Sequence, residues 1–176
     1  MKRRNILILA FGCSILVACA PVPNVNAIPP TVPQSAQRIN AQLGEVLVAI
    51  APVDEQQGYM PPGIATVTPV WRDGILDALK RSDMFQKGAT RRVNIETSII
   101  KLETVQNSDL SATTTVIALY RVIDAASSEV LWLRGISTSA TVSYQEATVL
   151  PNRERLSLNA AIQNNIVEFI ELYGNK

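Results

Sequence analysis

"ATTTVIALYRVID" (112–124), the tip "AASS" (125–128) and "EVLWLRGISTSATV" (129–142) follow one another without a break. Both long stretches are rich in β-branched and aromatic residues and contain no proline, and the short polar tip joins them as a β-hairpin. Within 116–123 both alternating sets are apolar: Val116, Ala118, Tyr120 and Val122 on one side, Ile117, Leu119 and Ile123 on the other. A strand packed on one face only would alternate apolar with polar. One set therefore belongs to a core and the other needs a cover, and Leu119 is assigned to the contact set. The cover is a second copy, a partner, a lipid moiety or the chain's own N-terminal segment.

Working outward, "RVNIETSIIKLE" (92–103) alternates at Val93, Ile95 and Thr97, then slips phase at Ile99-Ile100, which predicts a strand with a bulge. "EVLVAIAPVD" (45–54) is a continuous apolar run and reads as a buried strand. "EQQGYMPPGIA" (55–65) reads as a loop. Thr68-Pro69 then offers a cap and a first-turn proline for a helix through "PVWRDGILDALKRSDMF", with Trp71 packed in the core. Leu150-Pro151-Asn152 opens a last helix whose stripe is Leu158, Ala161, Ile162, Ile166, Phe169, Ile170 and Tyr173, with Gly174 placed to end it. The order predicts an α+β fold, a β-α-β-β-β-α sandwich with a mostly antiparallel sheet and two helices on one face.

The front of the chain has a different character. Lys2, Arg3 and Arg4 precede an apolar run from Ile6 to Val17, too short to span a bilayer and typical of a signal peptide over 1–18. Leu16-Val17-Ala18-Cys19 resembles the lipobox of bacterial lipoproteins. The resemblance implies that Cys19 carries a diacylglycerol thioether and an N-acyl chain and becomes the first mature residue. Three acyl chains anchor almost irreversibly. Cys13 leaves with the signal segment, so no pair remains for an internal disulfide. By the sorting rule of that family, Ala20 behind the cysteine directs the protein to the outer membrane, facing the periplasm. Pro21, Pro23, Pro29, Pro30 and Pro33 predict a flexible, polyproline-leaning tether over 19–44, ahead of a periplasmic domain over 45–176.

Composition excludes several chemistries. Without Lys2, Arg3 and Arg4 the chain has thirteen basic and fifteen acidic residues, which argues against nucleic acid as a partner. The absence of histidine removes Ser-His-Asp and Cys-His catalysis and His-ligated metal sites. Ser98-Ile99-Ile100-Lys101 matches the SxxK pattern of penicillin-recognising enzymes, but a strand should turn these two residues to opposite faces. Asp73 and Asp77 share a helix face, and Asp77 has Lys80 and Arg81 within reach, so an exposed ion-pair face is the simpler reading. No enzyme, cofactor, metal site or small-molecule substrate is expected. Candidate contact residues are Tyr59 and Met60 in the proline-bearing loop, Leu119, and Trp132.

The strand "VLVAIAPVD", the helix "WRDGILDALKRSDMF", the long strands and the closing helix resemble a group of small envelope lipoproteins. The group includes ABC-transporter auxiliary lipoproteins, lipopolysaccharide-assembly-type lipoproteins and lipoprotein activators of cell-wall synthases. Relatives often have glycine where Asp83 stands, at a position suited to a left-handed backbone. The resemblance implies a non-enzymatic accessory or adaptor in envelope assembly or transport, bound to the membrane by its N-terminal lipid and to an envelope protein. The alternative is a structural lipoprotein that self-associates into a ring or secretion conduit.

Overall fold

The computed structural model describes residues 24–175; the segment expected to be a signal peptide, Cys19 and the residues up to 23 lie outside it. Four strands form one sheet in the order β1-β2-β3-β4: β1 is Gln42–Ile50, β2 Arg92–Gln106, β3 Ala112–Asp124 and β4 Val130–Val142. β1 runs parallel to β2, as the crossover through helix α1 (Val67–Arg81) requires, and the other pairs are antiparallel. Helix α2, Leu150–Gly174, closes the chain. The expected α+β order is the observed one, and the phase slip at Ile99-Ile100 is a register shift between Ile99 and Lys101.

Both helices cover the face that carries Val93, Ile95, Ile99, Val116, Ala118, Tyr120 and Val122, all buried. Trp71 and Ile75 of α1 and Ile162, Ile166 and Phe169 of α2 meet that face with no solvent exposure. Burying each such large side chain contributes about 1.5–3 kcal/mol. Tyr120, Phe169 and Tyr173 stack in a row, the first pair with ring centres 4.4 Å apart and planes at 5°. Polar atoms in this layer are connected. The Trp71 indole N–H donates to the Tyr120 hydroxyl (3.3 Å), which donates to Asn165 Oδ1 (2.9 Å). Asn165 Nδ2 donates to the Ile136 carbonyl at 3.1 Å and to Thr138 Oγ1 at 3.2 Å. Burial pushes the Tyr120 phenol far up, so it stays a donor.

Several local expectations change. A 3-10 turn over Ile64–Thr66 leads into α1, so the helix begins at Val67. The hydroxyls of Thr66 and Thr68 donate back to the Gly63 and Ala65 carbonyls. Pro69 sits in the first turn, where its missing N–H costs nothing. β1 starts at Gln42 and is an edge strand, buried on one side only; Leu47 is 53% exposed. Asp83 adopts φ 50 just after α1, a left-handed backbone, and its carboxylate pairs with Arg38. Gly174 stays helical and makes room: an added Cβ would lie 3.1 Å from both Met84 Cε and Ser35 Oγ.

The largest correction concerns the tether. Residues 24–41 form a strap that descends along α1 and α2. Ala27 and Pro29 are buried, and Val25, Val32 and Ile39 pack against the core. Asn26 N–H donates to Asn159 Oδ1, and Gln163 Nε2 donates to the Asn26 carbonyl. Lower down, Arg81 donates to the Pro29 and Pro30 carbonyls, and Ser35 N–H donates to the Ser82 carbonyl. Ile39 pairs with Met84 and Gln86 before the chain turns up into β1. Prolines leave few donors, so the strap exchanges its hydrogen bonds with side chains and helix ends instead of with a neighbouring strand.

Gly74 records this contact in α1. A Cβ there would lie 2.5 Å from the Ala27 carbonyl oxygen and 2.9 Å from its carbon. Glycine inside an exposed helix is about 1 kcal/mol less favourable than alanine. Gly74→Ala should therefore reverse the usual sign and lower stability by about 1–3 kcal/mol, because the strap must move. Chemical denaturation checks this, and a more stable variant would show that the close approach is not held in solution.

Candidate docking surfaces

The face of the sheet away from the helices has no covering layer among the described residues. Period-two geometry sends Leu47 and Ala49 of β1, Ser98 of β2, Ile117 and Leu119 of β3, and Leu133 and Gly135 of β4 to this side. One row across the sheet reads Ala49, Ser98, Leu119, Gly135, so Leu119 stands between small neighbours. An added Cβ at Gly135 would meet nothing within 4 Å. Leu119 and Ile117 are half-buried, and Leu133 is 55% exposed. Glu96 and Arg121 (3.9 Å) and Lys101 and Glu103 (2.8 Å) flank the apolar row. The face is thus an apolar strip with charged borders, the composition of a contact surface.

The other contact candidates separate. Tyr59 is 64% exposed in the loop after β1, while Met60 beside it packs partly against the core. Trp132 is on the helix side of β4, its ring centre 5.7 Å from Phe169 and 5.4 Å from Tyr173. It is a packing residue. Parity could not reveal this, because β4 shifts register against β3 between Val122 and Ile123 and changes which neighbours share its side. Cys19 lies outside the described residues.

The motifs with chemical alternatives resolve into ordinary contacts. The β2 bulge returns Ser98 and Lys101 to the same face, opposite Leu119 and Ile117, contrary to the strand expectation. Lys101 Nζ is engaged by Glu103 Oε2, so its amine is an ion-pair partner. Asp73 pairs with Arg72, and Asp77 with Arg81 at 2.6 Å. Among the described residues, no three Asp, Glu, Cys or His side chains cluster to hold a metal ion, and no helix is long and apolar enough to cross a membrane. A cleft of about 570 Å³ opens where the strap begins, lined by Asn24, Asn26, Glu146, Arg155, Asn159 and Gln163. Glu146 is already held: the Ser143 N–H and Oγ both donate to it at 2.8 Å, which keeps its carboxyl below the usual range.

The class of molecule is set by this architecture, a four-stranded mixed sheet with both helices on one face. Among solved structures the chain shares this fold with a Xanthomonas campestris protein of the family DUF330, at 14% identity and a TM-score of 0.51, covering 87% of this chain and 95% of that one. A minor lipoprotein from Acinetobacter baumannii aligns over 74% of this chain and 93% of its own at 8% identity and a TM-score of 0.45. A PelC dodecamer from Paraburkholderia phytofirmans aligns over 80% and 92% at 11% identity and a TM-score of 0.44. No protein-family model and no curated protein matches the chain.

Proposed function

We propose that the chain is a lipid-anchored envelope lipoprotein whose domain is a non-enzymatic docking module for an envelope assembly or transport machine. The anchor is read from the basic start, the short apolar run and Leu16-Val17-Ala18-Cys19. Ala20 behind the cysteine favours the outer membrane. The observation that carries the docking role is the uncovered strip around Leu119, half-buried by its own sheet and bordered by two ion pairs.

Leu119→Asp tests it. The position is on the open face, so circular dichroism and thermal midpoint should change little, whereas envelope crosslinks from a photoreactive group at Ile117 should disappear. Unchanged crosslinks in a folded variant would place the docking surface elsewhere. A second reading, self-association into a ring or conduit, is favoured by one observation. β4, Val130–Val142, is the last strand of the sheet among the described residues, with no proline and one charge, Arg134. Light scattering on the purified protein separates the readings: a defined large oligomer supports the ring, a monomer the adaptor.

A further inference from the structure

The exposed apolar side chains are unevenly placed. β2 ends, β3 begins, β4 ends and α2 begins at one end of the sheet; of the three loops on this side, 107–111 and 143–149 lie at the end itself, while 51–63 leaves β1 opposite Ile99 and follows the β2 edge. Gln57 N–H donates to the Ile100 carbonyl, which ties the first loop to β2, and Gln106 and Val142 both pair with Ala112, which brings the starts of the other two together. Val53, Tyr59, Val105, Leu110, Tyr144 and Val149 are all exposed here, Val53 at 84%. Leu110 is the most telling. It adopts φ 64, a conformation costly for a branched side chain, in a turn fixed by bonds among Asn107, Asp109 and Ser111. The opposite end carries the polar tip 125–128 and the charges of Asp83, Lys87, Arg91 and Arg92.

The strap determines which end meets the membrane. Because it is packed from Val25 onward, only the residues between Cys19 and Asn24 separate a lipidated cysteine from the fold, a reach of at most about 18 Å. Asn24 lines a cleft with Arg155, five residues into α2 and so about 8 Å along the helix from its start. A lipid on Cys19 can extend only about 10 Å past the three-loop end.

We propose that this end lies on the bilayer surface that holds the anchor, with Leu110, Tyr144 and their neighbours inserted among the headgroups. The inference rests on the lipid-anchored reading. The three loops carry Asp54, Glu55, Asp109 and Glu146 and no lysine or arginine, and Arg153 of α2, 5.5 Å over the Tyr144 ring, is buried and bonded to the Ala147 and Thr148 carbonyls, so the attraction is apolar insertion into a neutral surface and not charge attraction to anionic lipid.

The test uses the full chain, purified from membranes after processing and placed at less than one copy per vesicle in phosphatidylcholine containing headgroup-nitroxide lipid. A small fluorophore is attached to Leu110→Cys, Tyr144→Cys or Ala126→Cys, the last at the opposite end. Intact mass reports acylation of Cys19 separately. Docking predicts loss of most fluorescence at 110 and 144 and none at 126. Adding Leu110→Asp to the Tyr144→Cys protein should restore the signal while the acyl mass stays. Acylated protein with no quenching at 110 and 144, as when another protein covers these loops, overturns the docking alone. Missing acyl mass overturns the anchor and the docking together. Stronger quenching on addition of phosphatidylglycerol overturns insertion in favour of charge attraction.

Discussion

Deleting residues 24–41 should lower the melting temperature by ten degrees or more, on the order of several kcal/mol for a domain of this size. A tether would cost nothing. The strap withdraws Ala27 and Pro29 from water, packs Val25, Val32 and Ile39 on the core, and satisfies groups on both helices through Asn26, Ser35 and Arg81. Without it the helix side chains under Ala27 face solvent, and Asn159 and Gln163 lose their partners. Ala27→Asp should reproduce most of the loss with the chain length intact, because it forces a charge into a position with no exposure. Thermal circular dichroism on both variants checks this. A deletion that melts with the parent would return 24–41 to the role of a spacer.

Asn165→Ala should cost about 3–4 kcal/mol, more than the lost side-chain volume implies, because it strands several partners at once. Asn165 is fully buried and is the acceptor for the Tyr120 hydroxyl. That hydroxyl already accepts from Trp71 and is held protonated by burial, so it cannot exchange donor for acceptor. The Ile136 carbonyl and Thr138 Oγ1 lose their donor in the same change. The double variant Tyr120→Phe/Asn165→Ala should recover part of the loss, since it removes the stranded hydroxyl as well. Urea denaturation of the single and double variants measures the coupling, and strict additivity would show the bonds to be independent.

The elements with a strong local period were legible. The β3–β4 hairpin, the stripe of α2 and the bulge at Ile99-Ile100 all rest on residues close in sequence. The two apolar sets of β3 were also legible as sets, and the sheet register assigns Val116 to the core and Leu119 to the open face. The strap was not legible. A proline-rich segment has no internal hydrogen bonds and no period, so it reads alike whether it is free or laid on a protein. The available signal was Gly74, a glycine among Trp71, Ile75 and Ala78 on the apolar side of a helix, where only a close backbone neighbour explains it. β1 misled for a related reason: a continuous apolar run suggests burial on both sides, yet Leu47 faces an open sheet. The apolar end was invisible because the loops of Leu110 and Tyr144 become neighbours only through the pairing of Ala112 with Gln106 and Val142.

The strap also fixes an order of events during biogenesis. Its bonds to α2 join residues 133 to 139 positions apart: Asn26 with Asn159, Gln163 with Asn26, and Ser35 with Gly174. The groove it fills does not exist until the last turns of α2 are in place. Closing so long a loop comes after the local contacts of the hairpin and helices. Residues 24–41 are therefore the last part of the fold to settle, although they precede every strand and helix of the sheet domain in the chain.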